Sequence, residues 1–453
     1  MMSTTTALPV TTRPARRTGQ ARAAYLLVWT FLLANLVILQ IMFANPSRPA
    51  PNTLTSIGRF FGVYLGFVLV VQLLLIGRVP FLERRIGMDK LTNWHRWTGF
   101  TIFWLVVLHP TFVLLGYSQL DRIPFLAEIP NLAGQMPVLL GMIAAALIGL
   151  MALTSVRMAR RRMSYEAWHA THLVVYVMIV LAVIHQIYEG SSIASSPATQ
   201  AYWWALWAFA IGSLLVNRLF VPMVRNARHR LRVVAVVPET DNAVSVYVGG
   251  RQLDRLRARP GQFFWWRFPG HASWWQVNPW SLSAAPDGRT LRLTAKGIGS
   301  TSAGLRNLPV GTKVYAEGPY GALTTAGRTR ESTLLIAGGI GITPIRALLE
   351  DPDLTGDVVV LYRARTPADA VLAGELRNLV QARGARLHLL TGRTTDGNQP
   401  FSPESLRGLV PDIAERDVYL CGPAAMATTV QRSLRALRVP ARQRHIEAFR
   451  LGV

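Results

Sequence analysis

Residues 95–109 read His95-Arg96-Trp97-Thr98-Gly99-Phe100-Thr101-Ile102-Phe103-Trp104-Leu105-Val106-Val107-Leu108-His109, an apolar run with an imidazole near each end. The two histidines are 14 positions apart. In a helix that is a rise of about 21 Å with a return to nearly the same face. A run of this kind is long enough to cross the hydrocarbon core of a bilayer, which takes about 20 apolar residues. Five further runs match it, so the sequence predicts six spans at about 24–43, 58–76, 95–115, 137–156, 168–187 and 202–220.

Composition agrees with a chain that is half membrane. Hydrophobic residues make up 51% and charged ones 16%, too apolar for a soluble protein and too polar for an all-membrane one. The formal charge is +24. Its distribution argues against nucleic acid, because the arginines cluster in the tail and between apolar runs (Arg84 and Arg85; Arg157, Arg160, Arg161 and Arg162), and again after the last run (Arg225, Arg228, Arg230 and Arg232). By the positive-inside rule these segments face the cytoplasm, as do both termini, and the first apolar run reads as a retained anchor in the plasma membrane. The one cysteine, Cys421, allows neither an internal disulfide nor an all-cysteine iron–sulfur cluster.

Polar residues inside spans are costly and tend to be functional. Here they are mainly histidines: His95 and His109 in the third span, and His169, His172 and His185 in the fifth. Both spans run outward, so His95 and His172 share the cytoplasmic depth, and His109 and His185 the opposite one. Neutral imidazole is a good axial ligand for haem iron, and two stacked bis-histidine haems would make a path across the membrane. Helix geometry leaves two points open. His172 and His185 are 13 residues apart, which puts them on different faces of an ideal helix unless it bends or bulges. His169 lies three residues before His172 on a similar face and competes with it as ligand.

Six spans with His-x13-His in the third and His-x12-His in the fifth resemble the ferric reductase and NADPH oxidase superfamily. The segment Tyr165-Glu166-Ala167-Trp168-His169-Ala170-Thr171-His172 is similar to the start of the fifth span in its bacterial members. The resemblance implies His172 rather than His169, and regular pairing of His95 with His172 and His109 with His185 as ligands of two b-type haems.

From about residue 230 short alternating runs replace long apolar ones. Leu231–Val237, Val244–Val248, Leu291–Ala295 and Lys313–Glu317 predict antiparallel strands of a small β-barrel. From 333 the pattern alternates: strands at Thr333–Ala337, Val358–Tyr362, Arg386–Thr391 and Asp417–Cys421, with helices from about Pro344 and near 369–382. That is a doubly wound α/β domain. The expected organisation is a disordered cytoplasmic tail (1–23), a helical membrane domain (24–220), a flavin-binding barrel (228–328) and a nucleotide-binding α/β domain (329–453).

Two segments carry the chemistry. Asn278-Pro279-Trp280-Ser281 resembles the Arg-x-Tyr-Ser flavin signature of the ferredoxin–NADP reductase superfamily, with Asn278 where arginine is usual. The resemblance implies Ser281 at the flavin N5 edge and Trp280 against the FAD. It also places Lys296, Gly297, Gly299, Ser300 and Thr301 in a backbone loop on the pyrophosphate, where glycines let N–H groups approach the anion. The second segment, Gly338-Gly339-Ile340-Gly341-Ile342-Thr343-Pro344, follows a strand and opens a helix, the setting of a dinucleotide loop. Thr343 could bond the pyrophosphate. Cys421, Gly422 and Pro423 look like the same superfamily's Cys-Gly-Pro motif beside the nicotinamide. Arg363 and Arg365 close the second strand, where arginine accommodates a 2′-phosphate, so NADPH is favoured with NADH as the alternative. Phe449 is the candidate aromatic cover for the flavin.

The order of motifs implies an electron relay from nicotinamide through FAD and two haems to an extracytoplasmic acceptor, with no general acid or base. Ferric chelates are the first choice; dioxygen, giving superoxide, or a redox partner are the alternatives. A membrane cytochrome with a degenerate reductase half and a transporter with a nucleotide-binding domain are the rival readings.

Overall fold

The computed structural model describes residues 16–155, 165–271, 277–392 and 399–449. It divides into two compact units. One is built from Tyr25–Pro80 and Asp89–Phe220, the other mainly from Phe81–Met88 and Val221–Leu451.

The first unit is helical. Its elements are α1 (Arg16–Ala44), α2 (Thr53–Ile76), α3 (Met88–Asp121), α4 (Met136–Ser155), α5 (Tyr165–Leu173), α6 (Val175–Glu189) and α7 (Pro197–Leu215). Among the described residues six helical stretches are long and apolar enough to cross a membrane. α1 begins at Arg16, inside the stretch expected to be disordered, because its Arg, Gln and Ala residues favour helix and extend the apolar run that follows. The helix starts are chemically set. Asn52 caps α2 by accepting from the Thr55 amide at 2.8 Å, and Ser196 caps α7 through a reciprocal pair with Thr199, with Pro197 following. Buried Phe67, Val70, Leu73, Val106, Ile148, Met178, Trp203 and Trp207 form one core. Trp97, Phe100, Leu153, Val180 and Phe209 lie more than half exposed on the outside, the surface a bilayer would cover.

α5 and α6 are the two parts of the expected fifth span, broken at Val174. No proline or glycine marks the break. The Thr171 hydroxyl instead donates back to the Trp168 carbonyl at 2.8 Å, a local bond of the kind that bends helices.

The second unit opens with α8 (Val221–His229) and an antiparallel barrel. Its strands are β1 (Arg232–Thr240), β2 (Ala243–Gly249), β3 (Phe263–Arg267), β4 (Asn278–Ser281), β5 (Thr290–Lys296) and β6 (Tyr315–Tyr320). They form two three-stranded sheets, β1-β2-β5 and β4-β3-β6, joined by bridges at Arg232–Lys313 and Leu282–Leu293 around one shared core. β6 is an edge strand. Asn226 of α8 covers it like a neighbouring peptide, donating to the Ala316 carbonyl at 3.1 Å and accepting from the Ala316 amide at 2.9 Å.

The remaining strands are β7 (Thr333–Gly338), β8 (Val358–Arg363), β9 (Arg386–Leu390), β10 (Asp417–Pro423) and β11 (Arg444–Phe449). They make a parallel sheet in the order β11-β10-β7-β8-β9. Helices α9 (Ile342–Leu349), α10 (Ala373–Ala382) and α11 (Ala424–Ala436) follow β7, β8 and β10. Strand order reverses between β7 and β10, and ligands of such sheets bind at the carboxyl ends beside that reversal.

At the opposite end of β10, buried Asp417 accepts from the amides of Thr329 and Arg330 at 2.5 Å and lies 3.0 Å from His445 Nε2. Burial raises its pKa, but these bonds more than offset that and hold the carboxyl below its ordinary range. A depressed carboxylate stabilises above its unfolded pKa, about 4, and stops doing so as pH falls through the native value. Asp417→Asn is therefore expected to cost about 1.5–3 kcal/mol at pH 7. The gap from wild type should narrow in acid, read from melting curves at pH 7 and pH 3.5.

Candidate functional site

The histidines of the third and fifth apolar stretches meet as two facing pairs. The rings of His95 and His172 have centroids 6.4 Å apart, and those of His109 and His185 are 6.2 Å apart. The planes in each pair are inclined by 65° and 64°. The helical pattern is interrupted at Val174, between His172 and His185, where the amide bonds the Thr171 carbonyl three residues back at 3.2 Å. His169 lies in α5, but its side chain is outside the described residues.

Two metal–imidazole bonds of about 2 Å, plus a ring radius of about 1.1 Å on each side, sum to about 6 Å. The ring separation in each pair is therefore that of two imidazoles on one metal ion. Among the described residues no three His, Cys, Asp or Glu side chains come together. Each pair offers two ligands, the number a porphyrin iron takes from protein in a bis-histidine site.

Hydrogen bonding fixes the tautomer of one pair. His109 Nδ1 lies 2.8 Å from the Gly58 carbonyl and His185 Nδ1 lies 2.9 Å from the Pro137 carbonyl. A carbonyl only accepts, so both Nδ1 atoms carry the proton and both Nε2 lone pairs are available, as in metal-bound histidines. At His95 the Gln72 amide nitrogen lies 3.3 Å from Nε2, while Thr98 donates to the Gln72 oxygen. Gln72 thus donates to the lone pair that a metal would take.

Glycines seat the rings. A Cβ at Gly62 would lie 2.8 Å from the His109 ring, and one at Gly141 would lie 2.8 Å from the His185 ring. Gly58, Gly62 and Gly66 recur every fourth residue on α2, the small-xxx-small spacing that lets helices approach closely. That spacing was readable from the sequence, although its role as a histidine seat was not. A cavity beside His109 and His185 is otherwise lined mainly by apolar residues, with Arg59 and Glu189 as charged groups and Tyr117, Gln135 and Gln186 among the polar ones.

In the second unit, the dinucleotide loop and the Cys-Gly-Pro motif meet at the strand-order reversal. Ala337 at the end of β7 pairs with Cys421 of β10. A Cβ on Gly341 would fall 2.3 Å from the Cys421 carbonyl oxygen, so only glycine fits there. Gly338 abuts Met426 and Pro423, and Gly339 takes a positive φ of 54°. Cys421 and Pro344 are buried at this junction. Thr343 is buried too, and its hydroxyl donates to the Ile340 carbonyl at 3.0 Å, so its proton serves the loop itself. Arg363 pairs in register with Gly338 and donates to the Thr391 carbonyl at 2.7 Å, with Nη2 unpaired; Arg365 is exposed.

The segment expected to bind flavin is β4. Register pairs Asn278 with Trp266 and Trp280 with Phe264, both core residues, and Ser281 with Phe263. Trp280 packs partly on that core, 6.1 Å from Phe268, and Pro279 and Ser281 take the opposite face. Arg267 follows Trp266 on the neighbouring strand, with its Nε buried and unbonded. It is a cation beside this motif that sequence reading did not single out. In the loop expected to hold pyrophosphate, Gly297 donates to the Asn242 carbonyl, and the amides of Ile298 and Gly299 donate to Ser302 Oγ at 3.0 and 3.1 Å. Lys296 lies 3.8 Å from Asp369. Thr301 is half-buried; the side chains of Ser300 and Phe449 are outside the described residues. The Phe449 backbone pairs with Pro423.

Comparison with known proteins agrees with this division. The family described as ferric reductase like transmembrane component matches residues 61–183, and the oxidoreductase NAD-binding domain matches 335–432. The chain is 32% identical over 232 residues to the ferredoxin reductase component of 3-ketosteroid-9-alpha-monooxygenase from Mycolicibacterium smegmatis, covering 49% of this chain and 65% of that one. It is 30% identical over 213 residues to a flavohemoprotein of Vibrio cholerae, covering 44% and 53%. Among solved structures it resembles the flavohem-like FAD/NAD binding domain of nitric oxide dioxygenase from Vibrio cholerae, at 26% identity and a TM-score of 0.39, covering 49% of this chain and 99% of that one. The chain thus spans about 65% of the first of these relatives. It joins a ferric-reductase-like transmembrane component to a reductase module with an NAD-binding domain, matching the ferric reductase and NADPH oxidase type of fusion.

Proposed function

We propose that this protein carries electrons from cytoplasmic NADPH, with NADH as the alternative, through FAD and two b-type haems to an acceptor outside the plasma membrane, with ferric chelates the first choice. The observation that carries this reading is the pair of facing imidazole sites, with centroid separations of 6.4 and 6.2 Å. His95 and His172 would hold one haem, and His109 and His185 the other. When bound, FAD accepts hydride from the nicotinamide and hands electrons singly to the haems.

The chain's own part is to hold and orient. The Gly58 and Pro137 carbonyls hold Nδ1 of two ligand rings and leave both Nε2 lone pairs available. Glycines at 338, 339 and 341 let backbone approach a dinucleotide, and Arg363 places a cation at the end of β8, suited to a 2′-phosphate. Lys296 and Arg267 supply the charge that Asn278 lacks. Positive loops keep both termini cytoplasmic.

The test is an absorption spectrum of the purified protein with FAD, before and after anaerobic NADPH. Reduced b-type bands are expected, followed by reoxidation with ferric citrate faster than with dioxygen. Absence of haem would reject the reading, and haem reduced by dithionite but by neither NADPH nor NADH would reject the relay.

A further inference from the structure

The barrel and the nucleotide-binding sheet meet at a buried ionic cluster that the relay itself does not use. Its centre is Glu375 on α10. Arg292 of β5 donates through Nη1 to both Glu375 oxygens at 2.9 Å, and Arg346 of α9 donates through Nε to Oε2 at 2.7 Å. Both arginines also grip Ser283, two residues beyond Ser281. Arg292 Nη2 reaches the Ser283 carbonyl at 2.6 Å, its Nε reaches Ser283 Oγ at 3.0 Å, and Arg346 Nη1 reaches the same carbonyl at 3.0 Å. Arg346 further pairs with Glu350 at 2.7 Å, and Glu350 accepts the Ala285 amide at 2.7 Å.

Both guanidinium groups are less than a tenth exposed. A buried charge that loses its partner is left uncompensated, so the cluster favours one arrangement strongly. Arg346 lies on the helix that the dinucleotide loop opens, and Ser283 lies on the chain leaving the flavin motif. The two binding segments are therefore tied directly, Arg346 to Ser283 and Glu350 to Ala285, and Glu375 holds the two arginines together at that junction.

We infer that Glu375 is a positioning residue, which locks the flavin strand to the dinucleotide helix and so sets the approach of nicotinamide to flavin; this rests on the function proposed above. A misplacement of about 1 Å at a reacting centre costs on the order of 100-fold in rate. Glu375 is itself 38% exposed, so its side chain can be changed without opening the core.

The experiment is stopped-flow flavin reduction by NADPH in the full-length protein, without oxygen. Glu375→Gln is expected to lower the limiting rate by about 10- to 100-fold. FAD content and half-saturating NADPH should stay near wild type, the melting temperature should fall because two buried arginines lose an acceptor, and Glu375→Asp should recover most of the rate. Hydrogen exchange at the Ala285 amide should quicken in Glu375→Gln, which reads the clamp without turnover. A limiting rate within twofold of wild type would overturn the inference. So would loss of FAD in parallel with rate, or an Asp variant no better than Gln. If neither nucleotide reduces the wild-type flavin, the proposed function fails, while exchange at Ala285 still decides the clamp: unchanged exchange sinks it.

Discussion

Leucine at His109 is expected to leave the protein with one haem instead of two and to stop electrons reaching an extracytoplasmic acceptor. The imidazole faces His185 at 6.2 Å, is seated on Gly62, and turns its protonated nitrogen to the Gly58 carbonyl. Removing a group that merely supports a metal ligand costs about 10- to 100-fold in metal affinity. Removing the ligand should exceed that. Reduction of ferric citrate by NADPH should fall by at least about 100-fold, with half of the b-type absorbance lost. Flavin reduction by NADPH should be unchanged, because His109 belongs to the other unit. Leucine at His169 is the matched control and should keep both haems. Two haems in His109→Leu would sink the assignment.

The second large effect is expected from a single methyl group. Gly341→Ala puts a Cβ 2.3 Å from the Cys421 oxygen, 2.6 Å from its carbonyl carbon and 2.9 Å from the Gly422 nitrogen. These are backbone atoms of a strand end, so no side chain can swing aside. Overpacking of this kind costs about 1–3 kcal/mol, and it forces apart the two motifs that would share a nicotinamide. Flavin reduction by NADPH should drop by about 100-fold, the scale set by a displacement of about 1 Å, while dithionite still reduces the haems. Gly339→Ala has open space around it and only the positive φ against it, so its cost should be about 1 kcal/mol. Equal losses in the two variants would mean that the Cys421 contact is not what matters.

Much of this fold could be read before any coordinates. The apolar runs are long enough that length alone identifies the spans, and β1, β2, β5, β7, β8, β9 and β10 fall where alternation and apolar runs put them. β3 is not legible as a strand because Phe263-Phe264-Trp265-Trp266 is apolar throughout, which leaves no period of two to detect. β4 was hidden by Pro279, which its edge position tolerates. The interruption at Val174 has no breaker residue to announce it in the sequence. The histidines could be named from spacing, but their seats could not. Gly62 and Gly141 acquire meaning only once helices distant in sequence are brought together. Likewise Glu375 reads as a solvated helix carboxylate until Arg292 and Arg346 converge on it from elements 83 and 29 residues away.

The peptide-like grip of Asn226 on Ala316 bears on how the gene can be cut. α8 follows the last apolar run and looks like a dispensable linker, yet it shields a strand whose backbone groups would otherwise stand open. A reductase fragment begun after His229 would expose that edge, and open strand edges pair with other chains. Such a fragment should clump during expression, whereas one begun at Val221 keeps its own cover and should stay monomeric.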